Sequence, residues 1–308
     1  MAEWIWEPGI GEARAALIAD DRILEAAIAL DDTPLRLGQI ARARLIDRTT
    51  VRFDDGEDAL LTGPAGVPEG GMLRVEITRE AIPEPGRAKL ARAVATDAQP
   101  APAPDLLARI TATGLPVNRL AAHAPDRLEA AGWSELLEEA RTGEIVFANG
   151  ALRMTPTPAM TLFDVDGHPP LEPLAIRAAA SVAQAIRRHS IGGSIGIDFP
   201  TLAGKGPRQA VAAALDAELP PPFERTIVNG FGFLQIVRPR PRPSLPELLR
   251  ADPIGAAARA ALRRLEREPG PPRRHRVPAA ILARLHSRPD WLTELARRTG
   301  AAPLLESE

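Results

Sequence analysis

The chain has 308 residues, 45% of them hydrophobic and 25% charged, a globular composition with room for two or three compact units and no apolar run near the roughly 20 residues a membrane span needs. It contains no cysteine, which excludes disulfides, thiolate zinc sites, iron–sulfur clusters and cysteine nucleophiles, and leaves any metal to oxygen ligands or to the five histidines. The formal charge of -2 exerts no global pull on nucleic acid, so a binder of this composition needs a local basic face.

At the N-terminus, MAEWIWEPGIGEARAAL places acids and a Gly/Pro turn where a secretory signal has a basic start and an apolar core, so the expectation is a cytoplasmic protein with no membrane partner. Residues 1–35 predict a hairpin, because ARAALIADDRILEAAIAL sets two strand-like runs around an Asp20-Asp21 turn. Residues 36–82 predict short strands, GQIARARLIDR, TTVRF, DALLT and GGMLRVEITRE, separated by turns such as Asp54-Asp55-Gly56. That spacing fits a small barrel of the OB type, and equally a generic β-unit. Residues 83–104 turn to Pro, Ala and charge and predict a linker.

Beyond the linker, DLLARITATG and residues 124–141 carry helical periodicity, and GEIVFANGALRMTPTPAMTLFDVDG predicts a strand, an Asn149-Gly150 turn and a second strand ending on Asp164. A long Ala-rich helix is expected over 173–189, a short buried strand in SIGIDF ending on Asp198, a helix over 206–218, and a strand or hairpin in RTIVNGFGFLQIVRPR. This alternation is that of an α/β layer, so residues 105–245 are expected to form one. Residues 246–308 read as mainly helical, broken by the basic, Pro-rich EPGPPRRHRVP.

Two of these strands carry an aspartate framed by apolar residues, in Leu162-Phe163-Asp164-Val165-Asp166 and Ile195-Gly196-Ile197-Asp198-Phe199. A carboxylate at the end of a buried strand is costly to ionise unless something positive meets it, and a hard divalent cation such as Mg²⁺ does so through oxygen ligands. A pair of this kind suits phosphodiester hydrolysis. The same residues also suit capping of the helix or turn that follows each strand.

The ordered trio TPTPAMTLFDVDG, HSIGGSIGIDFPTL and VNGFGFLQIVRPRPRPSL resembles the catalytic subdomain of the ribonuclease E/G family, which shows TEAL-x-AIDVNSG, GG-x-I-x-IDF and FGL-x-E-x-(S/T)RQR strands in this order. The opening hairpin resembles that family's N-terminal strands, the small barrel its S1 insertion, and VPAAILARLHSRPDWLTELARRTG its small C-terminal domain. The resemblance implies an RNase H-like and DNase I-like α+β or α/β catalytic core with an inserted S1/OB-type barrel. In this division, residues 1–35 give strands of the core, 36–82 the barrel, 83–104 a linker, 105–245 the α/β core and 246–308 a small helical C-terminal domain.

It further implies an endoribonuclease that cuts single-stranded RNA with a metal-activated water, leaving a 5′-phosphate and a 3′-hydroxyl. Asp164 and Asp198 fall on the two family aspartates that hold Mg²⁺, while Asp166 replaces the family's Asn and enters as a third catalytic candidate. Gly230 stands where an arginine precedes Phe-Gly and Gln235 where a glutamate is usual, while Arg238 and Arg240 remain as RNA contacts. The family's 5′-monophosphate sensor is replaced by the linker, so no 5′-end sensing is expected. Its zinc-link cysteines are missing, so any homo-oligomer is not joined through zinc thiolates. Two rival readings are a non-catalytic RNA-binding protein that keeps the fold and a scaffold for RNA-decay factors.

Weaker signals complete the candidates. Lys89 and Lys205 are the only lysines, and this arginine-rich usage suits phosphate recognition and equally a GC-rich genome. Lys205, in AGKGPRQ, makes no P-loop but is a further RNA-binding candidate. Phe53 either stacks a base or fills the barrel core. His168 suits a loop or a proton-transfer role, and the Arg273–Arg276 run either meets phosphate or forms a solvated loop.

Overall fold

The computed structural model describes residues 1–84, 86, 88–268 and 274–308. Strands β1 (Glu3–Pro8), β2 (Glu12–Ala19) and β3 (Arg22–Leu30) form an antiparallel meander. Asp20 and Asp21, with φ of 48° and 57°, close the expected hairpin between the paired Ala19 and Arg22. Two successive positive φ values match the twist of the flanking strands, and Asp tolerates them.

Next come β4 (Ile40–Asp47), β5 (Thr50–Arg52), β6 (Asp58–Leu61), β7 (Met72–Arg79) and β8 (Ala91–Ala95), which close a barrel in the order β4-β5-β6-β8-β7. The segment expected to be a linker therefore supplies the fifth strand. Ala91 and Ala93 are buried while Arg92 is exposed. The period of two is present, but alanine and the flanking prolines mute it, and pairing with both β6 and β7 supplies what local propensity lacks. Phe53 lies in the barrel core with Leu45, Val51 and Ile77 at 6% exposure. It fills the interior and offers no face to a base.

Helix α1 (Leu106–Thr111) is capped by Asp105, whose carboxylate accepts the Ala108 N–H. β9 (Val117–Arg119) pairs parallel to β1 and completes a four-stranded sheet ordered β3-β2-β1-β9. The helical pattern over 124–141 resolves into α2 (Arg127–Ala130) and α3 (Trp133–Thr142), separated at Gly132, whose φ of 95° a helix does not accept.

There follow β10 (Glu144–Phe147), β11 (Gly150–Pro156), β12 (Thr161–Gly167), α4 (Leu171–Arg188), β13 (Gly193–Asp198), α5 (Lys205–Glu218), β14 (Glu224–Arg225) and β15 (Phe233–Arg238). The six strands form one sheet ordered β10-β11-β12-β13-β15-β14, in which only β12 and β13 run parallel. The run expected as one strand to Asp164 is thus two, hinged over 157–160, and β12 continues past Asp164 to Gly167. The preceding turn is Ala148-Asn149, one residue earlier than expected, with Asn149 at φ 67°.

Both α4 and α5 contribute to the core of this layer, where Leu152, Met154, Phe163, Ile195, Ile197, Leu234 and Ile236 of the strands meet Ala175, Ala178, Ala179, Val182 and Ile186 of α4 and Val211 and Leu215 of α5. Small alanines let α4 approach closely and cost little side-chain entropy on helix formation. At the end of α4, His189 is fully buried and its Nε2 lies 3.0 Å from Glu139 of α3, which also pairs with Arg188 at 2.7 Å. Burial lowers the His189 pKa against the opposing pull of Glu139.

The chain ends with α6 (Leu245–Ala251), α7 (Pro253–Arg267), β16 (Arg274–Val277), α8 (Ala279–His286), α9 (Pro289–Thr299) and β17 (Leu304–Ser307). Arg273 lies outside the described residues. The elements divide into two compact units: Met1–Thr33, Asp105–Trp133 and Leu249–Glu308 form one, and Pro34–Pro104 and Ser134–Leu248 the other. Residues 1–33 and 105–133 thus fall in the same compact unit as the C-terminal helices, while Pro34 and Leu35 go with the barrel.

Buried charge explains that partition. Arg14, at 2% exposure, binds Glu12 at 2.6 Å and Glu7 at 3.3 Å; Arg259 binds Glu12 at 2.8 Å, and Arg263 binds Glu7 at 3.0 Å and Asp126 at 2.8 Å. Each segment of this unit brings charges that would be prohibitive to bury without the others.

Candidate functional site

The six-stranded sheet buries one face against its helices and leaves the residues of the opposite parity outward. Because side chains alternate across a strand and paired residues share a face, the register identifies that outward set. On β12 it is Leu162, Asp164 and Asp166; on β13 Ser194, Gly196 and Asp198; on β11 Ala151, Arg153 and Thr155; on β15 Phe233, Gln235 and Val237. Asp164 pairs directly with Asp198, so the two aspartates singled out from the sequence stand side by side on neighbouring strands of one open face.

Both are exposed, which corrects the expectation of carboxylates forced into a buried strand end. Asp198 does end β13, whereas Asp164 lies inside β12. Neither carboxylate, nor that of Asp166, makes a hydrogen bond or ion pair to another described residue. The capping role does not hold either: α4 starts after Pro170 and α5 after Gly204, and neither helix has a side-chain cap.

Asp166 faces the same way but sits opposite Ala151, two residues beyond the last β12–β13 pair. That is about 7 Å along the strand from Asp164. Among the described residues no three His, Asp or Glu side chains are grouped to hold a metal. The donor set is therefore the Asp164–Asp198 pair. Two carboxylates on strands about 4.8 Å apart fit a hard cation of the Mg²⁺ type, which takes one or two protein carboxylates and fills its remaining positions with water or phosphate oxygens.

Sequence reasoning missed Arg153. It lies directly across from Asp164 in the antiparallel register, exposed and without an ion pair among the described residues, and puts a cation on the aspartate face. The pairing of Pro156 with Thr161 fixes this register; recognising a turn in TPTPAM between two strands would have placed Arg153 opposite Asp164 by counting.

The arginines expected to meet RNA are elsewhere. On β15 the parity of Arg238 is that of the buried Leu234 and Ile236, so it leaves the sheet on the helix side. Arg240 is half-buried in an ion pair with Glu247, whose other oxygen accepts the Ser244 N–H at 2.7 Å and its hydroxyl at 2.8 Å. Arg242 pairs with Glu80 at 3.3 Å, and burial lowers its pKa against that partner. Lys205 is exposed at the first position of α5, in the connection that follows Asp198, and His168 is exposed just after β12. Arg276 on β16 is exposed.

No family model and no curated protein matches this chain.

Proposed function

We propose that the protein is a Mg²⁺-dependent endoribonuclease acting on single-stranded RNA, built on an RNase H-like and DNase I-like layer and working in the cytoplasm. One observation carries the proposal: Asp164 and Asp198, separated by a helix in sequence, are register partners on an open sheet face, exposed and without a hydrogen bond or ion pair among the described residues. A structural carboxylate pair would be capped or bonded by the chain, because two like charges in direct cross-strand contact work against the fold, and Arg153, which faces Asp164, closes no ion pair with it among the described residues.

Asp164 and Asp198 would hold the ion. When bound it supplies Lewis-acid polarisation of the phosphate and a more acidic water. Arg153, beside Asp164, opposes charge developing on the phosphate oxygens. Asp166 lies further along the same strand, where it limits how closely a second phosphate approaches. The Gln235 side chain, on the strand that flanks β13 and opposite Gly196, offers a neutral amide to the bound strand.

The test is incubation of the purified chain with end-labelled single-stranded RNA, with Mg²⁺ and with EDTA. Fragments bearing 5′-phosphate that form only with Mg²⁺, and that Asp164→Asn and Asp198→Asn abolish, are the expected result. Cleavage that is indifferent to both substitutions removes the proposal.

A second reading, an RNA binder without chemistry, is favoured by the lack, among the described residues, of a third His, Asp or Glu grouped with the aspartate pair. It predicts retained RNA affinity with no Mg²⁺-dependent fragments.

A further inference from the structure

Next to Asp198 the loop before β15 is built with unusual rigidity around an unusually exposed aromatic ring. The Asn229 side chain accepts the N–H groups of Phe231 at 2.9 Å and of Phe233 at 3.0 Å, and the Asn229 N–H donates to the Phe233 carbonyl at 3.0 Å. Gly232, at φ 95°, donates to the Asn229 carbonyl and presses so close to the Phe199 backbone that a Cβ there would lie 2.2 Å from the Phe199 oxygen. The backbone is thus pinned, yet Phe231 is 84% exposed.

Phe233, the register partner of Asp198, lies along the open face over Gly196. A Cβ at 196 would stand 2.7 Å from its ring and 2.9 Å from Leu162, so glycine is what gives the ring room there. A cation completes the group. The Arg208 guanidinium reaches over the same loop, 3.6 Å from where a Cβ at Gly230 would be, and is steadied by an Nε–H bond of 2.8 Å to the Gly204 carbonyl. Among the described residues it has no carboxylate within ion-pair distance.

Solvent-exposed phenylalanine is costly in hydration, and a fixed one beside an uncommitted guanidinium presents the two features of a nucleotide-binding element: a π-face for the base and a fork of donors for its phosphate. We infer that Phe231 and Phe233 form a stacking shelf for unpaired bases next to the Asp164–Asp198 pair, with Arg208 holding the adjoining phosphate. This inference rests on the proposed RNA substrate but not on its cleavage. It moves base recognition from the barrel, where Phe53 is buried, to the edge of the sheet. It also supplies positive charge at the loop where position 230 itself has none.

The experiment measures binding without chemistry. Fluorescein-labelled oligoadenylate, and an abasic ribose-phosphate chain of the same length, are titrated in EDTA against the full chain, with melting midpoints as a folding control. Phe231→Ala should weaken oligoadenylate binding about tenfold or more, the loss of one stacked base, and leave the abasic chain unaffected. Phe231→Trp should restore binding. Arg208→Gln should weaken both ligands and flatten the slope of log affinity against log salt by about 0.7.

Equal oligoadenylate affinity for wild type and Phe231→Ala, or no binding by wild type, overturns the inference. A change of oligomeric state in Phe231→Ala without a change in RNA affinity also overturns it, and assigns the ring to a protein contact. Cleavage is scored separately with Mg²⁺. A base-dependent loss in a protein that never cleaves keeps the shelf and removes the nuclease, and cleavage that ignores Phe231 does the reverse.

Discussion

Replacing Asp198 by Asn should make the metal-free protein more stable and at the same time abolish its response to Mg²⁺. Asp198 faces Asp164 across one strand spacing, about 4.8 Å. Two unit charges at about 5 Å repel by about 0.8 kcal/mol in water and by about 3 kcal/mol at an effective dielectric of 20. Both side chains are exposed, so the lower figure applies, reduced further by salt. Asp198→Asn keeps the size and removes the repulsion, and its other register neighbour, Phe233, carries no charge to lose. A gain of about 0.5–0.8 kcal/mol follows, or roughly 1–3 °C in melting midpoint for a domain of this size.

Asp164→Asn should differ, because Asp164 also faces Arg153. Relief of repulsion and loss of attraction then nearly cancel, and the midpoint should move little. With millimolar Mg²⁺ the wild type should rise in midpoint by linkage to binding, and neither variant should. Differential scanning calorimetry of the three proteins with and without Mg²⁺ checks all of this. An Asp198→Asn protein less stable than wild type, or one still stabilised by Mg²⁺ to the wild-type extent, refutes the paired-carboxylate reasoning.

Other residues give equally direct expectations. Phe53→Ala empties a site at 6% exposure in the barrel core and should cost about 3–5 kcal/mol in urea unfolding, with no selective loss of base-dependent RNA affinity in the folded fraction. Arg240→Ala strips Glu247 of its half-buried partner and should lower stability while leaving the salt slope of RNA binding unchanged; Arg153→Ala removes the attraction to Asp164, should cost about 0.5–0.8 kcal/mol and should flatten that slope by about 0.7. Burial lowers the His189 pKa below its ordinary 6.5, so the unfolded chain takes up a proton first as pH falls. Stability should be full above pH 6.5, decline from there to the depressed folded value and then level off, and His189→Gln should remove this component from urea midpoints measured across the range. Burial works to raise the Glu139 pKa but is outweighed by its bonds to His189 and Arg188, which adds a separate loss as pH falls below about 4.5.

Local chemistry made much of this fold legible in the chain itself. The Asp20-Asp21 turn, the helix in DLLARITATG, the Ala-rich helix ending before Gly192-Gly193 and the strand ending on Asp198 each follow from turn residues and periodicity within a few positions. The two aspartates were legible as well, through their apolar frames and through the resemblance of the strands that carry them. What only the tertiary structure decided is which residues become partners. A strand of alanines and arginine such as β8 has no strong signal until two neighbours complete its hydrogen bonds. Arg153 joins the aspartates because the chain reverses over 157–160, and Arg238 misses them because its parity on β15 is odd relative to Phe233 and Gln235. Shifting a strand by one residue turns every side chain to the other face, and burial of the whole sheet against α4 and α5, which no short window contains, selects the register.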